Sequence, residues 1–130
     1  MDGGDLMCTA MDRDQLTAWV GRYEQAWRTP GTDTLAGLFT EDASYSQGPY
    51  RQPVRGLPAI AAMWEAERDG PDEVFTMSSE IVAVDGDTGV VRVQVRYGEP
   101  VQEYRDLWVM RFADDGRCRH YEEWPYAPDS

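Results

Sequence analysis

The stretch YRDLWVMRFADDGRCRHYEEW, residues 104–124, decides how this chain folds. Its first nine residues alternate between an aromatic face and a basic face, which are Tyr104, Asp106, Trp108, Met110 and Phe112 against Arg105, Leu107, Val109 and Arg111. A period of two is typical of a β-strand with one face in the core. Asp114-Asp115-Gly116 then predicts a turn. We therefore predict an antiparallel pair of strands whose aromatic face points inward.

The same period extends upstream from this pair. Strands are predicted at Val74–Val84, Val90–Tyr97, Glu103–Phe112 and Arg117–Tyr126, with Asp85-Gly86-Asp87 as the first hairpin turn. In the second strand the valines share one face with Tyr97, while Arg92, Gln94 and Arg96 share the other. The second half of the chain is therefore predicted to be an antiparallel meander.

Helical spacing dominates the first half. Asp12 or Asp14 is expected to cap a helix that runs to about Arg28, and a short helix follows Thr32 or Asp33. An irregular stretch, Glu41 to Gly56, has room for two short strands, and Pro58 suits the first turn of a third helix that Gly70-Pro71 ends. This order predicts an α+β fold, in which a curved, mostly antiparallel sheet wraps around three N-terminal helices. Residues 13–127 form the predicted domain, between flexible tails at 1–12 and 128–130.

Composition narrows the function classes. The chain has 130 residues and a formal net charge of −12, with 24 acidic and 12 basic side chains. The electric field of this negative net charge repels nucleic acid and anionic membranes. The N-terminus lacks the pattern of a signal peptide, no stretch has the roughly 20 apolar residues of a membrane span, and two cysteines make no disulfide framework. We expect a cytoplasmic protein without nucleic-acid or membrane partners.

Asp106 is the one acidic residue on the aromatic face of its predicted strand. Burying an unpaired carboxylate is expensive. Three outcomes are open: a protonated carboxyl with a raised pKa, a pair with an arginine, or hydrogen bonds from hydroxyl and indole donors. The first makes Asp106 a candidate acid or base, and the others make it a structural hydrogen-bond node.

The segment CRHYEEW, residues 118–124, contains the only histidine. Strict alternation places Cys118, His120, Glu122 and Trp124 on the inner face. A β-bulge would shift the strand by one residue and bring Glu123 inside instead. Both registers stay open. One histidine with scattered carboxylates has no recognisable metal-ligand spacing, so no metal and no cofactor are expected.

Aromatic side chains are numerous for a small core. Five tryptophans and seven tyrosines are present, and six aromatic residues of the helices and strands are expected to converge, namely Trp19, Tyr23, Trp27, Trp64, Trp108 and Trp124. Most of them are explained as core. An aromatic cavity with a few aimed polar groups is also what a small-molecule site looks like.

Three stretches carry a family resemblance: YEQAWRTPGTDTLAGLFTEDASY at 23–45, PVRGLPAIAAMW at 53–64, and the ending at 104–124. From about Asp14 to Tyr126 the chain resembles the nuclear transport factor 2-like superfamily, in particular its SnoaL-like and ketosteroid-isomerase-like members. The resemblance implies a cone-shaped barrel that admits a hydrophobic ligand at its open end. It also implies a homodimer formed through the outer sheet face.

The resemblance suggests roles for particular residues. Active members work with cavity carboxylates, histidines and tyrosines, so Asp106 is expected to be the base or acid. A hydroxyl donor is expected from Tyr45 or Tyr104, a second titrating group from His120, Glu122 or Glu123, and the ligand-binding walls from Tyr23, Trp27, Tyr50, Arg51, Trp64, Trp108 and Trp124. The expected activity is isomerisation, cyclisation or dehydration of a hydrophobic, oxygenated molecule. The alternatives are a ligand carrier without catalysis and a dimeric scaffold for a protein partner.

Overall fold

The structure, a computed structural model, describes residues 11–29, 31–67, 75–98 and 102–127. Along the chain they form nine elements: α1 Arg13–Arg28, α2 Leu35–Leu38, β1 Phe39–Ser46, β2 Val54–Arg55, α3 Leu57–Glu67, β3 Phe75–Asp85, β4 Thr88–Tyr97, β5 Gln102–Phe112 and β6 Cys118–Tyr126. The predicted α+β class is confirmed, with the helices preceding the four long strands. The predicted helix end at Gly70-Pro71, the start of the first long strand at Val74 and most of both tails lie outside the described residues.

Helix α1 begins at a capping box. The Asp12 carboxylate accepts a hydrogen bond from the Gln15 backbone N–H at 2.7 Å, and the Gln15 side chain accepts one from the Asp12 backbone at 3.0 Å. These two bonds satisfy donors that a helix start leaves free. The preceding Met11 is buried, and its backbone N–H donates to the Gly86 carbonyl at 3.0 Å. Met11 thus packs with the domain, and Asp12 caps its first helix.

The six strands form one curved, mixed sheet in the order β2-β1-β6-β5-β4-β3. Neighbouring strands are antiparallel except β1 and β6, which are parallel. The sheet does not close on itself, so the cone remains open rather than forming a complete barrel. The parallel contact of β1 with β6 joins the irregular first half of the chain to the meander and places Tyr45 opposite Tyr121.

The inner faces of β4 and β5 agree with the alternation in the sequence. Asp106, Trp108, Met110 and Phe112 are buried on β5, as are Val91 and Val93 on β4, whereas Arg92, Gln94, Arg96, Arg105 and Arg111 are exposed. The apolar stripe of α1 packs on this inner face. Gly89 makes the approach of the helix tight, because a Cβ at this position would lie 2.7 Å from Leu16 Cδ2.

Strand β6 contains a β-bulge. In its pairing with β5, Phe112 lies opposite Cys118, but Arg111 lies opposite His120, so Arg119 is one residue in excess. The bulge reverses the alternation between Cys118 and the rest of the strand. Cys118, Tyr121 and Glu123 consequently share the inner face.

Candidate functional site

Two carboxyl groups meet on the inner face of the sheet. Asp106 comes from β5 and is only 8% exposed. Glu123 comes from β6, where it pairs with Trp108, two residues along β5 from Asp106. Register therefore brings Asp106 and Glu123 together from neighbouring strands, and the bulge at Arg119 is what turns Glu123 inward.

Each carboxyl group alters the titration of the other. Burial raises the pKa of Asp106, and hydrogen bonding with Glu123 and with the Trp108 indole opposes this rise. Burial likewise raises the pKa of Glu123 to about 8. The charge of Asp106, a hydrogen bond with Asp106 and the charge of Glu67 raise this pKa further, whereas the charge of Arg51 lowers it. Two acids this close titrate as a pair. Near neutral pH the pair therefore keeps a proton, with Glu123 as its main holder.

Three tyrosine hydroxyls form a cluster beside the carboxyl pair. The hydroxyl oxygens of Tyr23 and Tyr45 are 2.7 Å apart, and Tyr121 donates to the Tyr23 oxygen at 3.4 Å. The Tyr121 ring stacks on Tyr45 with centroids 4.3 Å apart and on Tyr23 at 5.6 Å. The two hydrogen bonds between the hydroxyls use two of the three hydroxyl hydrogens, so the third hydrogen remains available to another acceptor.

The hydroxyl cluster stays protonated. Burial is the largest cause of the raised pKa of all three tyrosines, and the negative charge of Glu123 raises each of them further. Glu123 therefore acts electrostatically on all three hydroxyls. The cluster can therefore donate a hydrogen bond to a developing negative charge, but it does not ionise near neutral pH.

Indole rings surround Tyr23. The Tyr23 ring lies 4.6 Å from Trp108 and 5.1 Å from Trp64, measured between centroids, and Trp64 in turn lies 4.8 Å from Trp27. Trp64 is fully buried on α3 and Trp108 is nearly so, whereas Trp27 is partly exposed. Four of the proposed ligand-binding residues are thus brought together, and Trp124 is not among them.

Of the two registers that the sequence left open for β6, the structure has the bulged one, so His120, Glu122 and Trp124 do not face inward. The bulge places them on the outer face, where a chain of hydrogen bonds joins Ser44, His120, Glu122 and Trp124. Ser44 Oγ is 2.6 Å from His120 Nδ1, and Glu122 Oε1 is 3.2 Å from His120 Nε2. Both ring nitrogens of His120 are engaged, and the chain connects β1 to β6.

The remaining predicted site residues are Tyr104, Tyr50 and Arg51. Tyr104 is on the inner face of β5, but its ring contacts Tyr97 at 6.3 Å rather than the tyrosine cluster. Tyr50 is fully exposed and therefore forms no wall. Arg51 is exposed next to it, and its charge still reaches Glu123.

Two residues of the site were not predicted. Tyr121 is fully buried at the centre of the hydroxyl cluster, and Glu67, at the end of α3, acts on the pKa of Glu123. The signal for Tyr121 was present, since any bulge that turns Glu123 inward also turns Tyr121 inward. Glu67 continues the three- and four-residue spacing of Ile60, Met63 and Trp64, but it is exposed at the end of α3.

Neither a metal site nor a membrane span is apparent in the part of the chain that the structure describes. Within residues 11–29, 31–67, 75–98 and 102–127, no three histidine, cysteine or acidic side chains are grouped as metal ligands. None of the helices in these ranges has the length and apolar character needed to cross a bilayer.

The family is established by comparison with known proteins. The model of the SnoaL-like domain matches residues 20–121, which include the carboxyl pair's Asp106 and the three tyrosines. The chain therefore belongs to the SnoaL-like domain family. No curated protein matches the sequence.

Solved structures support the fold. A candidate ketosteroid isomerase from Kribbella flavida DSM 17836 is 16% identical with a TM-score of 0.67, covering 87% of this chain and 78% of its own. An NTF2-like protein of unknown function from Mesorhizobium loti is 21% identical with a TM-score of 0.66, covering 89% and 95%. SalBIII, an epoxide hydrolase/cyclase-like enzyme of pyran ring formation in salinomycin, is 14% identical with a TM-score of 0.70, covering 88% and 93%. These identities are low, so the similarity establishes the NTF2-like fold alone.

Proposed function

We propose that this protein is a cofactor-free acid/base enzyme that moves a proton beside a carbonyl group of a hydrophobic small molecule. One observation carries the proposal: a buried and a half-buried carboxyl group, both with raised pKa values, lie beside a cluster of hydroxyl donors. Burial of such groups is costly, and structures keep them where they serve a purpose. The related fold of an isomerase candidate and of a cyclase-like enzyme is consistent with this chemistry.

Asp106 is the proposed base. Its Oδ1 is buried and has no hydrogen-bond partner among the described residues, which leaves this oxygen open to a substrate proton. In the proposed step, the Asp106 carboxylate takes a proton from the carbon next to the carbonyl. The C–H electron pair forms the enolate, whose charge moves to the carbonyl oxygen.

Glu123 and the tyrosine cluster are the proposed acids. Protonated Glu123 and the one uncommitted tyrosine hydrogen are donors to the enolate oxygen. Return of a proton from Asp106 to a different carbon completes an isomerisation. Attack of the enolate carbon on a second carbonyl, whose oxygen then takes the proton held by Asp106, completes a cyclisation. Both outcomes begin with the same abstraction, so the first step is the one to test.

Deuterium exchange tests the proposal directly. The full chain is incubated in D2O with 1-tetralone, a ring ketone with enolisable hydrogens, and loss of the α-hydrogen signal is followed by NMR. Wild type is expected to exceed the uncatalysed rate, and Asp106→Asn to fall by about 100-fold or more, the usual worth of a general base. Glu122→Gln, on the outer face, is the matched control. Equal rates for wild type and Asp106→Asn would refute the assignment of Asp106.

The outer face suggests a second proposal, a homodimer. Leu107 and Tyr126 are exposed there by 36% and 58%, and Trp124 and Val109 lie between and beside them. A second copy that covers this face would bury the apolar row of β5 and β6. Sedimentation velocity of wild type and Leu107→Asp tests this: a dimer that becomes monomeric supports the interface, and an unchanged monomer contradicts it.

A further inference from the structure

Four polar side chains form a row across the outer face of the sheet, near the Cys118 end of β6. Backbone pairing places Ser44 of β1 between Arg55 of β2 and His120 of β6. Arg111 of β5 lies opposite His120 on its other side. Paired residues of neighbouring strands are about 5 Å apart and point to the same face. The arginines at the two ends are exposed, and the serine and histidine between them are half-buried. We call these four residues the arginine row.

The two arginines of the row are not neutralised by ion pairs. Neither Arg55 nor Arg111 has a carboxylate within salt-bridge distance among the described residues. Arg92 and Arg105, on the same face, each donate to a glutamate, at 2.8 and 3.3 Å. Carboxylates are not scarce, since the chain has 24 acidic and 12 basic side chains. The ends of the row therefore keep two free guanidinium groups.

The middle of the row can supply a further donor. Ser44 Oγ is 2.6 Å from His120 Nδ1, and Glu122 Oε1 is 3.2 Å from His120 Nε2. A carboxylate only accepts, so Nε2 carries the hydrogen, and in the neutral ring Nδ1 accepts the hydroxyl hydrogen of Ser44. Protonation at Nδ1 reverses this second bond, because Nδ1–H then donates to Ser44 Oγ. The hydroxyl hydrogen of Ser44 is then free to bind an anion.

The charged groups that face His120 link its protonation to anion binding. Glu122 on the same strand stabilises the imidazolium, whereas Arg111 of β5 and, beyond Ser44, Arg55 of β2 oppose it. A bound dianion offsets the charge of both arginines and leaves the effect of Glu122 dominant. Anion binding and protonation of His120 are therefore expected to strengthen each other.

We propose that the arginine row binds the phosphate group of a small phosphate monoester. Two forked guanidinium groups and one hydroxyl offer more donors than the two oxygens of a carboxylate accept, whereas a phosphate ester presents three acceptor oxygens and up to two negative charges. The row lies on the outer face, so the inference goes beyond the proposed function and does not depend on the carboxyl pair. It also lies at the opposite end of β6 from Tyr126, which belongs to the proposed dimer face.

Titration with inorganic sulfate tests the arginine row. Sulfate is a tetrahedral dianion that keeps its charge between pH 6 and pH 8. His120 is the only histidine, so its ring signals in the NMR spectrum of the full chain need no assignment. Addition of sulfate at pH 6 is expected to move these signals in a saturable manner, toward the position of the imidazolium. Ring signals that do not respond overturn the inference.

Charge variants show whether the two arginines hold the anion. Loss of one charge-assisted contact predicts that Arg55→Gln and Arg111→Gln each weaken sulfate binding about 5- to 10-fold. Arg96→Gln is the matched control, because Arg96 is exposed on the same face at the far end of β4 and has no ion-pair partner among the described residues. It should weaken binding by less than about twofold, since salt screens charges at that distance. Equal losses in all three variants would reveal a general charge effect and reject the site.

The pH dependence of binding tests the part played by His120. Wild type is expected to bind sulfate about tenfold more tightly at pH 6 than at pH 8, because histidine gains its charge in this range and frees the Ser44 hydroxyl. His120→Gln should bind sulfate weakly and equally at both pH values, as read from the Nε–H signals of Arg55 and Arg111. The inference fails if this variant keeps the pH dependence of wild type.

A matched pair of probes tests the ligand class. Phenyl phosphate is expected to displace sulfate and to move the same ring and guanidinium signals, whereas phenol, which has the same ring without the phosphate, should move neither. If sulfate binds and phenyl phosphate does not, the row does not accept a phosphate ester and the inference is rejected.

Discussion

Glu123 lies opposite Trp108 in the pairing of β5 with β6, and this register brings its carboxyl group to that of Asp106. Neither acid reaches the other through local sequence, since they are 17 residues apart on antiparallel strands. The relationship depends on the extra residue in β6, because a regular strand would turn Glu122 inward instead. A single bulge therefore determines which glutamate belongs to the site.

Replacement of Glu123 by glutamine is predicted to stabilise the protein as the pH rises. Burial raises the pKa of Glu123 to about 8, so the folded state holds a proton that the unfolded chain, with a pKa near 4.5, releases. The free energy of unfolding of wild type must then fall between about pH 4.5 and 8. At about 1.4 kcal/mol per pKa unit, we expect Glu123→Gln to gain about 2 kcal/mol or more over wild type between pH 5 and pH 8.

Urea unfolding at pH 5, 6, 7 and 8 measures this gain. Glu122→Gln is the matched control, since it removes the neighbouring carboxyl, which lies on the outer face and accepts a hydrogen bond from Trp124. Only Glu123→Gln should become more stable relative to wild type as the pH rises. Parallel pH profiles for the two variants would show that Glu123 has an ordinary pKa in the folded state.

Tyr23 is predicted to matter more for stability than Tyr121, although both are buried tyrosines. The Tyr23 oxygen contacts both other hydroxyls of the cluster, so Tyr23→Phe leaves the buried hydroxyls of Tyr45 and Tyr121 without this partner. At about 1–3 kcal/mol for each unsatisfied group, the expected loss is about 2–4 kcal/mol. Tyr121→Phe removes its own donor together with one long contact, so its expected loss is about 1 kcal/mol. Urea midpoints at pH 7 compare the two, and an equal loss would contradict the central position of Tyr23.

The fold was largely predictable because its strands and helices have clear periods. Asp106 stood out for the same reason, as a single acid on an otherwise aromatic face, and the structure places it there. The parallel pairing of β1 with β6 was not predictable, because residues 39–46 mix exposed and buried positions without a period of two and their partner is 79 residues further on, at Cys118. Pairing across such a distance depends on the assembled core, not on local pattern.

The inner residues of β6 were predictable only as alternatives. Alternation alone cannot locate an inserted residue, and Arg119 has no property that distinguishes it from a regular strand residue. Its side chain instead pairs with Asp87 at 2.8 Å across the end of the sheet. The choice between Glu122 and Glu123 thus depended on contacts with β5 and β1, and Tyr121 was overlooked because it moves together with Glu123.

His120 is predicted to contribute to stability and not to proton transfer. It bridges Ser44 on β1 to Glu122 on β6, so His120→Ala should lose about 1 kcal/mol, the net worth of such hydrogen bonds. Ser44→Ala should lose a similar amount, and the double variant less than the sum, because both single changes break one contact. Deuterium exchange into 1-tetralone should be unaffected by either. If a fully folded His120→Ala variant exchanged deuterium tenfold more slowly than wild type, His120 would be a proton-transfer residue after all.

Deletion of Arg119 is predicted to preserve the site, whereas deletion of Glu122 is predicted to destroy it. Arg119 is the residue that β5 does not pair, so its removal leaves Cys118 opposite Phe112, His120 opposite Arg111 and Glu123 still inside. The deletion of Arg119 removes the exposed ion pair with Asp87 and introduces some local strain. Together these effects are expected to lower the free energy of unfolding by about 1–2 kcal/mol. Deletion of Glu122 keeps the bulge but puts Glu123 on the outer face or drives Tyr121 out of the core, which removes a fully buried side chain worth about 3–5 kcal/mol. Urea unfolding followed by tryptophan fluorescence ranks the two deletions. If the two deletions lower the free energy of unfolding by the same amount, the register of β6 does not depend on Arg119, and the inward position of Glu123 loses its structural basis.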